Sequence, residues 1–181
     1  MKTVNAIWIA VFLQAHPAGA QQYEFNYLGA TTVPDVIVDG AAAKIHTQGL
    51  YVTDRHFIVT GRWEKTPKRA LLLRFSRSSR GEVESDGEAT AEYIDITPSN
   101  IDGETLDHPG GFDVDSEGLY QVPLSTSHRQ GPALILGFRI DPLKPLKEAT
   151  IESRFRVDDH VGAVCCVGGT LLCANWDTLV V

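Results

Sequence analysis

Among 181 residues there are three cysteines, one methionine and no apolar run of bilayer length. The N-terminal run Ala6 to Leu13 (AIWIAVFL) is eight residues long, whereas a membrane-crossing helix needs about 20, so no stable membrane anchor is expected. Basic residues are scarce as well: 16 Lys and Arg face 23 Asp and Glu, a net charge of −7, and no segment gathers them into a run. Nucleic-acid binding needs clustered positive charge, and no nucleic-acid partner is expected. No sustained 3.6-residue period supports a helical bundle or coiled coil, and the 16 Gly and 9 Pro lack a collagen repeat. Gly-x-Ser-x-Gly, His-Glu-x-x-His, phosphate-loop and dinucleotide patterns are all missing, which leaves no familiar nucleophile, zinc-protease or nucleotide chemistry to argue from.

The few cysteines also lack Cys-x-x-Cys spacing, so a zinc knuckle is set aside. Cys165 and Cys166 are adjacent, and Cys173 follows Gly168-Gly169, a dipeptide suited to a two-residue hairpin turn. In that register Cys166 faces Leu171 and Cys173 lies diagonally at roughly 7 to 8 Å. That is too far for an unstrained disulfide, and the three read as small buried hydrophobes.

What is present first is a leader. Lys2, the apolar run and Ala18-Gly19-Ala20 form the charged, apolar and small-residue parts of a secretory signal peptide over residues 1–20. The mature domain is then 21–181, secreted or periplasmic, with 15 basic against 23 acidic residues because the leader carries Lys2 and no acid. Beyond residue 22, short β-branched and aromatic runs alternate with Gly, Asp, Pro and Ser, the pattern of an all-β chain. Strands are expected at 24–28, 35–38, 49–53, 56–61, 70–75, 91–96, 110–115, 118–123, 133–140, 149–156, 162–167 and 170–175. Ser76 to Ala89 is a polar, solvated connection. Arg62, Lys65, Lys68 and Arg69 with Trp63 read as a solvated basic face rather than a nucleic-acid contact.

Three segments align without gaps: HTQGLYVT from His46, HPGGFDVD from His108 and HVGAVCCV from His160. Each opens with His, two residues, a small residue and an apolar residue, then runs into a strand and a tight turn. The first two units continue into third and fourth strands, beginning at Ala70 and Ala91 and at Ala133 and Ala149. Four-stranded units spaced 62 and 52 residues apart are the footprint of β-propeller blades, slightly long for blades of about 40 to 50 residues. A single β-sandwich is the rival architecture, but it does not by itself require the same opening three times.

Over about Ala43 to Thr178 the chain resembles secreted six- or seven-bladed β-propellers of an uncharacterised bacterial and fungal family. The likeness lies in HTQGLYVTDRHFIVTG, KRALLLRF, LDHPGGFDVD and VDDHVGAV with ANWDT. His46 to Leu50 also looks like the first blade of propeller-type glutaminyl cyclotransferases. The resemblance implies architecture and little about activity, because propellers host many functions. Six blades of about 40 residues need about 240, and 21–181 supplies 161. The expectation is therefore an incomplete propeller of about two and a half blades, with Tyr23 to Asp39 offering a closing outer strand. Either a longer parent or several copies would complete the ring.

In a propeller the inner strands start near one channel mouth, which would bring His46, His108 and His160 together. Three imidazoles there can bind a divalent metal ion, or one can act as a base near neutral pH. Asp107 and Asp159 precede two of them and are placed to orient the rings as supporting carboxylates. The plainer alternative is structural: each His bonds within its blade, with Trp176-Asp177 as one partner. Two function classes follow, a secreted propeller binding a small-molecule ligand or metal at the channel mouth, and a metal-assisted hydrolase or lyase using the histidines.

Overall fold

A computed structural model describes residues 35–78, 91–98, 103–128 and 131–175. These are all-β apart from one 3-10 turn at Leu146–Glu148. The strands are β1 (Val36–Val38), β2 (Ala41–Ala43), β3 (Ile45–Val52), β4 (His56–Trp63), β5 (Arg69–Ser76), β6 (Glu92–Asp95), β7 (His108–Pro109), β8 (Asp113–Val114), β9 (Leu119–Ser125), β10 (Ala133–Arg139), β11 (Thr150–Val157), β12 (Ala163–Val167) and β13 (Thr170–Ala174). The expected strand at 24–28 and the Trp176-Asp177 pair lie outside the described residues.

Every named strand pair is antiparallel, and the sheets follow chain order: β1-β2, β3-β4-β5-β6, β7/β8-β9-β10-β11 and β12-β13. No sheet closes on itself among the described residues. The hairpins form where glycine permits left-handed backbone. Asp39-Gly40 (φ 51° and 79°) joins β1 to β2, and Gly168-Gly169 (φ 54° and 80°) joins β12 to β13. Cys166 stands opposite Leu171, the register that the Gly-Gly turn predicts.

Two elements differ from the sequence reading. The strand expected at 110–115 is reduced to β8, with a separate β7 before it at His108–Pro109, and the two share one side of β9. Between them Gly110 and Gly111 swing toward the third unit: Gly111 N–H donates to Gly162 O (3.0 Å) and Val164 N–H to Gly111 O (3.0 Å), a parallel bridge of Gly111 with Ala163. The described end of the proposed closing stretch is also hairpin rather than outer strand, since β1 pairs with the unanticipated β2.

The units stack face to face. Ile58, Ala70 and Leu72 of the first sheet meet Val122, Leu124, Leu134, Leu136 and Phe138 of the second. On the opposite face of β10, Ala133 and Ile135 pack with Val161 and Val164 of the third unit. Strand β10 is therefore apolar at consecutive positions because both of its faces are covered. Each such buried side chain contributes about 1.5–3 kcal/mol. The stacking brings the starts of β3, β7 and β12 to one end.

Candidate functional site

The three repeat-equivalent histidines lie side by side at that end. His46 in β3 is largely exposed, His108 in β7 is partly buried, and His160, just before β12, is buried. The ring centroids of His46 and His108 are 6.5 Å apart and nearly stacked; those of His108 and His160 are 6.3 Å apart and edge-on. His108 is the middle ring. Close approach of the neighbouring sheets depends on small residues. A Cβ on Gly49 would lie 2.7 Å from Thr60 Oγ1 and 2.8 Å from Phe112 Cδ1, and one on Gly110 would lie 2.4 Å from Gly162 O. Thr60 Oγ1 donates to Gly110 O (2.8 Å), and Ser125 Oγ donates to Val161 O (3.0 Å), which ties the second unit to its two neighbours.

A guanidinium completes the cluster. Arg62 stands opposite His46 in the β3–β4 register. Its Nε and Nη2 donate to Glu64 Oε1 (2.9 and 2.8 Å) and its Nη1 to Ser127 Oγ (3.2 Å). Ser127 Oγ donates onward to Asp107 Oδ1 (2.6 Å). His46 Nδ1 accepts from Gln48 Nε2 (3.1 Å) and lies 3.6 Å from Glu64 Oε1. Burial pushes the Glu64 carboxyl up, but the Arg62 hydrogen bond and the nearby cationic groups outweigh it and hold the group below its usual range.

His108 is pushed down to about 4, first by burial and then by the positive charges of Arg62, His160 and His46, with Asp107 opposing. Its neutral form therefore prevails at physiological pH. Asp159 acts through the main chain: its Oδ1 accepts from the His160 N–H (2.8 Å) and from Asn175 Nδ2 (2.8 Å). Asp107 reaches the cluster through Ser127 and by its charge on His108. Among the described residues no group of three or more His, Cys, Asp and Glu side chains is placed to hold a metal ion.

The basic patch read from sequence is divided between two faces. Arg62 joins the histidines, whereas Arg69 pairs with Asp39 and Asp95 and lies 4.1 Å over the Trp63 ring. Glu64 and Ser127 are site residues that the sequence reading passed over, and Arg62, read there as part of a solvated face, is largely buried beside the histidines. The cross-strand position of Arg62 opposite His46 was the available signal. The three cysteines are free thiols, and Cys166 is pushed up to about 11 by burial and by the charges of Asp113 and Asp115. No protein-family model, curated protein or solved structure matches the chain.

Proposed function

We propose that the chain supplies successive blades of an exported β-propeller and binds a small anionic ligand where its inner strands begin, using Arg62 with His46, His108 and His160. The architectural support is the stacking of sequence-consecutive antiparallel units and the parallel bridge between repeat-equivalent Gly111 and Ala163. Ring closure takes several more blades, so blades from further chain or further copies belong to the proposal. The observation that carries the ligand class is geometric: the Arg62 guanidinium stands in register with His46, beside the neighbouring His46 and His108 rings, so that N–H donors from separate strands converge there. An anion seated there is attracted by the guanidinium charge and accepts from the N–H donors of Arg62 and of the neutral His108 ring. Binding of this kind needs no bond-breaking step.

Inorganic phosphate is a suitable probe because it stays anionic across the His108 titration. Bound phosphate is expected to raise the His108 midpoint above about 4, followed by the imidazole C–H signals in NMR, and Arg62→Gln is expected to weaken phosphate binding at pH 7 in calorimetry. An unmoved midpoint together with equal binding by wild type and Arg62→Gln would sink the anion reading.

A further inference from the structure

Glu64 sets a carboxylate against the same guanidinium that is proposed to hold the anion. It follows directly on β4, two residues along from Arg62, and on an extended chain such positions share a face. Its Oε1 accepts from both Nε and Nη2 of Arg62 (2.9 and 2.8 Å), so one edge of the guanidinium fork is already filled by a negative charge. The same oxygen lies 3.6 Å from His46 Nδ1. On the other side of the guanidinium, Nη1 donates to a neutral hydroxyl, Ser127 Oγ (3.2 Å). An anion arriving from solvent therefore meets an arginine whose charge is balanced at contact distance. While that pair is intact, the attraction left for a second anion is small.

Glu64 also has a second cation within reach. Lys68 Nζ lies 3.9 Å from its other oxygen, Oε2. The two cations stand in different surroundings: the Arg62 side chain is 13% exposed and that of Lys68 40%. Glu64 opens the irregular connection 64–68 between β4 and β5, so rotation of its own side chain carries the carboxylate from the buried partner to the exposed one without moving a strand. Burial opposes its ionisation, yet Arg62, Lys68 and His46 together hold the carboxyl below its usual range. It is thus a charged competitor at either position.

We propose that Glu64 closes the anion site from within: its carboxylate holds Arg62 while the site is empty and passes to Lys68 when an external anion takes the guanidinium. The inference rests on the anion-binding reading of this site and supplies its regulation. One anion exchanges for another at Arg62, so the affinity is set by the difference between the two and not by the guanidinium alone.

Inorganic phosphate, titrated into the full chain by calorimetry at pH 7 and constant ionic strength, is the test. Glu64→Gln keeps the side-chain shape at a partly exposed position, and it is expected to bind phosphate at least about fivefold tighter than wild type. Adding Arg62→Gln to that variant is expected to remove the gain. Lys68→Met is expected to weaken binding when Glu64 is present and to have no effect beside Glu64→Gln, because only a displaced carboxylate needs the lysine. Arg62-dependent binding that Glu64→Gln leaves unchanged or weakens overturns the inference and leaves the anion reading standing. A gain that survives Arg62→Gln, or the same effect of Lys68→Met in both backgrounds, overturns it as well. Absence of Arg62-dependent phosphate binding in both wild type and Glu64→Gln overturns the anion reading and the inference together.

Discussion

His108 couples the histidine cluster to acid. Its proton affinity in the folded protein corresponds to about 4, against an ordinary 6.5, so the fold favours the neutral ring. The stability this provides is fully present above pH 6.5 and is lost as pH falls through 6.5 toward 4. Allowing for the ring's partial exposure, the loss is about 1–2 kcal/mol. Thermal melts at pH 7, 5 and 4 are expected to fall more steeply for the wild type than for His108→Gln, which removes the titration; parallel slopes would contradict the assignment. In the core the argument is simpler. Leu136 is 1% exposed and sits among the side chains shared by the first two sheets, and Leu136→Ala should lower unfolding stability by about 2–5 kcal/mol, measurable by denaturant titration.

At the scale of an element, the broken inner strand β7/β8 shows why regular pairing yields to contact between units. Gly110 N–H still donates to Pro123 O (2.9 Å) on β9, while Gly111 turns its N–H and C=O to Gly162 and Val164. Glycine is required at 110 because the neighbour is backbone: the Gly162 carbonyl would sit 2.4 Å from an added Cβ. Gly110→Ala is therefore expected to destabilise by more than about 2 kcal/mol through strain at this junction. Gly103→Ala, where the added Cβ meets nothing within 4 Å but the backbone has φ 85°, should cost only about 1–2 kcal/mol of local strain. Chemical denaturation of the two variants separates the cases; equal losses would mean that the 110–162 approach is not a tight contact.

Among the described residues, large apolar side chains are exposed at Ile37, Val52 and Leu143, on β11, and on both strands of the last hairpin. Cys165 and Val167 on β12 and Leu172 on β13 point away from Val164, Leu171 and Cys173, which pack toward the second sheet. Val167 is 55% and Leu172 39% exposed, on the hairpin face turned away from the second sheet. Concentration-dependent association is expected through this face, and Leu172→Lys should shift light-scattering mass toward a single chain. A wild-type mass that stays at one chain at all concentrations would rule this association out.

Much of this organisation was legible in the chain. Period-two apolar runs and turn residues specify strands whatever surrounds them, and an Asp-Gly or Gly-Gly pair admits the positive φ that closes a two-residue hairpin. The His-x-x-small-apolar opening marked three histidines that the stacked sheets bring side by side. Contacts between units were not legible, since they join residues far apart in sequence: Arg62 with Ser127, Thr60 with Gly110, and Ser125 with Val161. Local pattern made Asp107 and Asp159 companions of the histidines; tertiary structure assigned one to Ser127 and the other to the His160 backbone. Sequence set the strands and hairpins through local backbone and side-chain preferences, whereas the depressed proton affinity of His108 and the break between β7 and β8 arise only when separate sheets stack and exclude water.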